Sequence, residues 1–512
     1  EKRVGNAFTA GFDANTHRLH PVDADRLLAE WLEHSGRVGS GLSLTPGQLH
    51  LYRQMTTGRD LIGTVVGSAG SGKTTAMDAV SYALGRRGMT VYGVSTAAIA
   101  TQGLKDAAHI DGSTVARLLA RIDYATDDHH PARLRIAELE SSGLRRDHER
   151  AVAIRAAFEL PRIHHLIVDE ASMLAAPEQA RILDWAIAEN VSVTLVGDRK
   201  QLQAIGPSSL FGWMRETRGG AELTENMRQK TAIGRECAAL LRDGNAHDAL
   251  QILAGAGQFQ VARSEVDKNR LLIDSWLTHA AAFDNPGDRM RLTGLEAARN
   301  DQVDVLNHLA RHWAREQGWL AGPDVAYKHA GNERTYAIGD HIQITRNIKR
   351  HGQQRNLNNG TRALVTATKD DGVHLTYWDT DGQHEDRLTV DQAVTHSRHG
   401  YATTTHKLQG QTVKSLSIDL GADRDLSSAY VAFTRSQDES FAVVNVCDIA
   451  DGAQLETLLK LDHEARRDAV LAIMAARMQA AGFLEQRTAH EVVGATLPLV
   501  AATQRPTRYG IV

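Results

Sequence analysis

The run Gly67-Ser68-Ala69-Gly70-Ser71-Gly72-Lys73-Thr74 limits the fold of this chain more than any other segment. Its spacing, G-x-x-x-x-G-K-[ST], is that of a phosphate-binding loop. It follows Leu61-Ile62-Gly63-Thr64-Val65-Val66, an apolar run that reads as a buried parallel strand. It precedes Thr75-Ala76-Met77-Asp78-Ala79-Val80, which reads as the start of a helix. Strand, loop and helix in that order require an α/β core and set the motif apart from a chance glycine-rich turn. Gly67, Gly70 and Gly72 let successive backbone N–H groups face one anion, and the helix N-terminus adds partial positive charge. Lys73 is expected to reach the β and γ phosphates and the Thr74 hydroxyl to ligate Mg²⁺, with Ser71 and Thr75 beside them.

With 512 residues there is room for about three or four domains. No stretch approaches the ~20 apolar residues of a membrane span, so no membrane partner is expected. Only Cys237 and Cys447 are present, far apart, which argues against a disulfide framework and for a reducing cytoplasm. The start at Glu1 rather than Met suggests a piece of a longer chain, and no signal-like pattern opens it. A net charge of −4 means that any nucleic-acid site is a local groove rather than a whole-molecule field. The paired histidines His129-His130 and His164-His165 lack the cysteine partners and spacing of a zinc site.

Residues 1–41 read as a lead-in, helical over Asp25–Glu33, that ends in a Gly36–Gly41 linker. From residue 42 to 222, apolar strands recur at Leu61–Val66, Thr90–Val94, Leu166–Val168 and Val191–Val196, with helical patterns between them. That alternation implies a doubly wound parallel sheet. The charged stretch 120–158 reads as an exposed helical insertion. A second α/β unit is expected over 223–334 and 399–450, and includes Met290–Thr293, the helical Asp301–Trp313, Ser415–Leu420 and Phe441–Val446. Between them, 335–398 shows short alternating runs broken by Gly and Asn-Gly turns, which reads as a small inserted β-barrel. Residues 451–512 read as a helical segment and a loosely ordered tail.

Leu166-Ile167-Val168-Asp169-Glu170 is an apolar strand that ends in two acids, about a hundred residues after the phosphate loop. Buried strands deliver their C-terminal ends to the phosphate crevice. Asp169 is therefore a candidate for the Mg²⁺ shell and Glu170 for the base that orients and deprotonates water. Gln201, after the next strand, is a neutral donor suited to sensing a γ-phosphate. Arg228 and Arg435 lie far from the loop in sequence; alone, either reads as a surface salt-bridge arginine. Supplied across a cleft, they would meet the charge that develops in phosphoryl transfer. Tyr401–Thr412 packs donors around Gly410: Thr404, Thr405, His406 and Lys407 suit phosphodiester contacts, and Gln409 and Gly410 suit nucleotide sensing. Ser95, Thr96, Thr114 and Arg117 follow the same logic as backbone contacts. Arg346 and Lys349 lie in a basic loop that suits a single strand. A solvated hairpin is the alternative there.

In order, these motifs resemble the superfamily 1 DNA helicases, in their RecD-like 5′→3′ branch, over about residues 42–450. The carrying residues are Gln48, Gly67–Thr74, Val94–Thr101, Val168–Ser172, Gly197–Gln201, Arg228, Tyr401–Thr412 and Ser428–Arg435. Within that branch the chain is most similar to the helicase portion of MobF-type (TraI- and TraA-like) conjugative relaxases. The resemblance implies two RecA-like parallel-sheet domains in tandem, with a small barrel inserted in the second. It implies ATP and Mg²⁺ as cofactors, Gln48 as the adenine-reading residue, and Tyr430 among the DNA contacts. It implies single-stranded DNA and duplex junctions as partners, with a relaxase domain in a longer chain and conjugation machinery beyond them. The tyrosine and three-histidine metal site of a relaxase do not precede residue 40, so nicking is not expected here. A stand-alone repair or recombination helicase and a silent DNA-gripping module are the rival readings. The presence of Lys73, Glu170, Arg228 and Arg435 favours an active site over the latter. A GTPase is disfavoured because no Asn-Lys-x-Asp segment stands where guanine selection needs it.

Overall fold

The apolar run before the phosphate loop folds as β1 (Ile62–Gly67), followed by β2 (Val91–Ser95), β3 (Gly112–Thr114), β4 (His165–Val168), β5 (Ser192–Gly197) and β6 (Ala221–Leu223). These strands form one parallel sheet in the order β3-β2-β4-β5-β1-β6. The chain is seen in a computed structural model that describes residues 2–35, 44–68, 70–198, 200, 210–350, 356–379, 382–408 and 411–481. Period-two alternation in the strands fills two cores. Leu166, Val168, Val193 and Leu195 face one side with Val4 and Phe8. Val65, Ile167 and Val196 face the other with Leu27, Trp31 and Tyr52. The segment read as a lead-in is thus part of the first lobe: helices Lys2–Ala10 and Pro21–His34 bury Val4, Phe8, Leu27 and Trp31 in these cores, and Trp31 Nε1 donates to Asp78 at 2.9 Å. The Gly36–Gly41 linker lies outside the described residues.

The remaining strands are β7 (Phe259–Ala262), β8 (Thr293–Ala297), β9 (Ala321–His329), β10 (Asn332–Ile338), β11 (His341–Ile344), β12 (Arg362–Lys369), β13 (Gly372–Asp379), β14 (Gly382–Leu388), β15 (Ser397–His399), β16 (Ala402–Thr404), β17 (Val413–Asp419) and β18 (Ser436–Asn445). A second parallel sheet runs β16-β8-β17-β18-β7, again with a core on each face. Met290–Leu292 closes a helix, and the strand expected there begins at Thr293. The C-terminal helix His463–Ala481 packs Val470, Leu471, Met474 and Met478 onto this lobe.

Between the β8 and β16 arms of the second sheet stand the antiparallel hairpin β9–β10 and a five-stranded antiparallel sheet, β14-β13-β12-β11-β15. The inserted strands start at Ala321, upstream of residue 335. The expected barrel is not closed among the described residues, because β14 and β15 remain the two edges. Strand β15 is three residues long and leads almost at once into β16, so it has no length with which to pair β14. Buried Asp340 ties this module to the second lobe: it accepts from Arg311 Nε at 3.0 Å and from the Tyr401 hydroxyl at 2.8 Å.

The charged stretch 120–158 divides in two. Residues up to 126 complete the helix Val115–Thr126, which buries Leu118, Leu119 and Ile122 in the first lobe. Helices Pro131–Ser141 and Arg145–Phe158 form the exposed hairpin, with a small cluster of their own around Ile136, Leu139 and Ala151.

Candidate nucleotide and nucleic-acid site

Because all strands of the first sheet are parallel, their C-terminal ends share one edge, and the predicted phosphate chemistry collects there. The phosphate loop leaves β1 and enters the helix Lys73–Gly85. Gly70 (φ 76°) and Gly72 (φ 74°) adopt left-handed backbone that suits glycine, and a Cβ at Gly72 would overlap Gln48 Nε2. Gln48 is held by a reciprocal cap with Thr45 at the start of the helix Pro46–Thr57, and its Nε2 donates to Gly72 O at 3.0 Å. It thus braces the loop from the side. Lys73 Nζ donates to Gly67 O at 2.8 Å, and its stem covers Gly67. Thr74 and Thr75 sit in the first turn of the helix behind the loop.

Asp169 and Glu170 leave β4 side by side. Burial, aided by the adjacent Glu170, lifts the Asp169 carboxyl to about 6, with Lys73 pulling against the rise. Glu170 adopts φ 53°, unusual for a side-chain-bearing residue, and its backbone N–H donates to Asp169 Oδ1 at 3.0 Å. Its Oε2 and the Ser71 hydroxyl are buried without a hydrogen-bond partner among the described residues. Asp198, at the end of β5, is also buried, and a cleft of about 460 Å³ opens between Ser68, Asp198, Lys200 and Arg242.

Both distant arginines arrive at this edge. Met227 N donates to Gly70 O at 2.8 Å, and a Cβ on Gly70 would overlap that of Arg228. Arg228 then donates to Thr434 O at 2.8 Å, and Arg435 donates through Nε to Val431 O at 3.0 Å. Burial lowers the Arg228 guanidinium to about 9, with repulsion from Arg435 adding to it, while Tyr430 and Glu170 oppose the shift. Burial also lowers Arg435, against the pull of Glu170, Tyr430 and Asp198. Neither arginine has an ion-pair partner among the described residues. A buried excess of cations beside orphaned polar oxygens fits a polyanion. A carboxyl at Asp169 raised by burial and by the adjacent Glu170, next to the Thr74 turn, fits a divalent cation shared with Thr74.

The strand-contact candidates divide. Thr96, Arg117, Arg346, Lys349 and His406 are exposed; Thr114 and Lys407 are partly so. Thr114 caps the helix Val115–Thr126 through Arg117 N at 3.3 Å. Burial and Arg398 lower the Lys407 amine. Ser95 and Thr404 are buried, so neither hydroxyl presents itself at the surface. Two assignments are corrected. Tyr430 is 1% exposed and packs in the second-lobe core, where it faces the two arginines rather than solvent. Thr405 is 4% exposed and its hydroxyl is bound to Glu296 and Arg424. Burial inside a helical turn cannot be told from exposure at one position of a polar run. Gln201, Gln409 and Gly410 lie outside the described residues. Sequence reasoning missed Asp198, although an acid that ends the strand beside β1 is a signal, and it missed the Glu296–Arg424 pair, for which no local signal exists.

A family model described as an AAA domain matches residues 43–264. The chain is 27% identical over 423 residues to the conjugal transfer protein TraA of Rhizobium radiobacter, covering 80% of this chain and 34% of that protein. With TraA of Agrobacterium fabrum the identity is 28% over 379 residues, 74% of this chain and 30% of the relative. The chain therefore matches well under half the length of either. Among solved structures, the Pif1 helicase of Candida albicans is similar at 17% identity and a TM-score of 0.49, covering 82% of this chain and 98% of that one. The Bacteroides Pif1 helicase in complex with ADP-AlF3 and ssDNA gives 15% and 0.47, with 78% and 92% covered. With its ordered motifs, its AAA-domain match and its TraA relatives, the chain resembles the RecD-like superfamily 1B helicases and, along most of its length, the TraA-type conjugal transfer proteins.

Proposed function

We propose that this chain is an ATP- and Mg²⁺-dependent motor that moves along single-stranded DNA, separates duplex in the 5′→3′ sense, and is the helicase part of a conjugative relaxase-helicase. One observation carries the reading: Arg228 and Arg435, joined to each other through Thr434, stand without ion-pair partners among the described residues, against the phosphate loop and acids of the first lobe. Phosphoryl transfer needs such cations where charge gathers on the equatorial oxygens. Lys73 and the loop amides would hold the β and γ phosphates, with Gln48 beside the base. Thr74 and Asp169 would hold Mg²⁺, which would supply positive charge against the phosphates. Glu170 takes the proton of the attacking water. Because Arg228 lies in the segment between the lobes and Arg435 in the second lobe directly before β18, loss of the γ-phosphate removes their counter-charge and lets the cleft open.

The first motor domain is assigned to 42–222 with the helices Lys2–Ala10 and Pro21–His34 packed on it, and the second to 223–320 with 399–450 around the inserted module, followed by a C-terminal helical segment. The exposed Thr96, Arg117, Arg346, Lys349, His406 and the partly exposed Lys407 are the residues assigned to the DNA backbone. A cytoplasmic location and a relaxase domain elsewhere in a longer chain accompany this reading. The polarity comes from family resemblance.

The test compares ATP turnover with and without single-stranded DNA in the starting protein and in Lys73→Ala, alongside unwinding of 5′- and 3′-tailed duplexes. We expect DNA-stimulated turnover, its loss in Lys73→Ala, and unwinding of the 5′-tailed duplex. Equal unwinding of both tails would remove the polarity; an unchanged Lys73→Ala rate would remove the nucleotide site.

A further inference from the structure

Glu296 and Arg424 form an ion pair at 2.7 Å with both side chains 0% exposed. They come from separate elements: Glu296 from β8, Arg424 from the turn after β17. A charge pair this deep is not required for stability, since apolar residues of similar volume often serve as well or better. Its partners indicate what it holds. Arg424 donates to Asp419 O at 2.6 Å and to Thr405 Oγ1 at 3.0 Å, and the Thr405 hydroxyl donates to Glu296. Asp419 in turn pairs with Lys268 at 3.1 Å, and Lys268 also meets Glu265 and Asp448.

Thr405 begins the short helix Thr405–Leu408, which carries exposed His406 and half-buried Lys407. The far end of this connection reaches β17, where Val413 N donates to Arg435 O at 3.0 Å. The helix Thr405–Leu408 therefore has one end fixed in the buried pair, and its other end is hydrogen-bonded to Gln411, two residues before the contact of Val413 with the backbone of an arginine in the candidate nucleotide site. Gln411 donates from its side chain to Lys407 O at 2.7 Å and from its backbone N to Leu408 O at 2.9 Å.

We propose that Glu296, Arg424 and the Thr405 hydroxyl are positioning residues that couple strand contact at His406 and Lys407 to the placement of Arg435. This rests on the motor reading above. Without the hydroxyl clasp the helix loses its fixed end, and a strand that presses on Lys407 moves the helix rather than the arginine. The pair itself is a poor target, because removal of one buried partner strands the other. Thr405 is the better one: Thr405→Val keeps the shape and the ion pair but deletes the hydroxyl, and Thr405→Ser keeps the hydroxyl.

ATP turnover is measured across a titration of single-stranded DNA in the starting protein, Thr405→Val, Thr405→Ser and Thr405→Ala, with melting temperatures for each. We expect DNA-free turnover to stay unchanged while the stimulation by DNA falls about tenfold in Thr405→Val and Thr405→Ala, a coupling loss of ordinary size. Thr405→Ser should retain it. Full stimulation in Thr405→Val overturns the proposal, as does a parallel fall in DNA-free and DNA-stimulated rates. If Thr405→Val fails to fold, the Thr405→Ala and Thr405→Ser comparison decides. A starting protein that turns over ATP with no response to DNA would sink the motor reading itself, and that result appears before any substitution is made.

Discussion

At the scale of the residue, Arg435 is the most constrained cation in the candidate site. Its guanidinium is held by Val431 O and the Thr434 hydroxyl, which fixes its direction but does not neutralise it. Arg228 stands close enough to repel it, and Glu170 offers the opposing pull. The left-handed backbone of Glu170 costs about 1–2 kcal/mol, strain that persists only where the surroundings impose it. Arg435→Ala should lower kcat for ATP about 10³-fold with little change in KM, as expected for a group that acts on developing charge. Arg435→Lys should restore little of it, because a point charge lacks the planar fork. The melting temperature of nucleotide-free Arg435→Ala should not fall, since the substitution removes an uncompensated buried charge. Steady-state kinetics and thermal melts check both statements.

At the scale of the element, β4 carries two titrating groups with opposite effects. His165 at its start is buried, with its Nε2 2.9 Å from the Thr194 hydroxyl, and burial, aided by His17, lowers its imidazole to about 4; Asp169 just past its end is raised to about 6. Between pH 4 and 6.5 the unfolded histidine is protonated and the folded one is not, so this term adds stability as pH rises, ~3 kcal/mol in all. Between about pH 4 and 6 the folded aspartate keeps its proton and the unfolded one does not, so that term removes stability as pH rises. Asp169→Asn should therefore stabilise the nucleotide-free protein above pH 6, with a gain that shrinks towards zero near pH 4. Melting temperatures of the two proteins measured across that window give the difference directly. A gain that grew on acidification would contradict the assignment.

At the scale of the whole molecule, a strap of residues 227–230 ties the phosphate loop to the second lobe. Met227 N bonds Gly70 O in the phosphate loop, and the next residues bond the segment before and along β18: Arg228 to Thr434 O, Gln229 to Ser436 O at 3.1 Å, and Lys230 N to Gln437 O at 2.7 Å. The loop that would hold phosphate is thus one hydrogen bond from the strap that presents Arg228, which in turn bonds the segment that carries Arg435. Gly70→Ala would add a methyl where the Arg228 Cβ lies, at a φ that alanine disfavours. It should push the strap off the loop and lower kcat about 10²-fold, while each lobe keeps its own core. Turnover measured beside far-UV circular dichroism checks this. Retained turnover would show that the strap does not set the distance between arginine and phosphate.

Much of the first lobe could be read from local sequence. The spacing of three glycines and a lysine dictates a loop, the apolar run before it dictates a parallel strand, and Asp169 and Glu170 follow from where such strands end. The two arginines were found only as candidates, because nothing near either residue says that it crosses a cleft. Thr405 and His406 show the limit: they are neighbours of similar polarity, yet one is sealed against Glu296 and Arg424 and the other faces solvent. The inserted strands were recognised from their alternation, but whether they close depends on the length of β15 and the path it takes into β16. Spacing along the chain fixes backbone geometry, so the sequence alone determined the phosphate loop, its acids and the α/β layering. Burial and ion-pair partners depend on residues more than a hundred positions apart, so only the tertiary structure decided which hydroxyls are clasped, which cations stand unpaired, and that Gly70 and Arg228 touch.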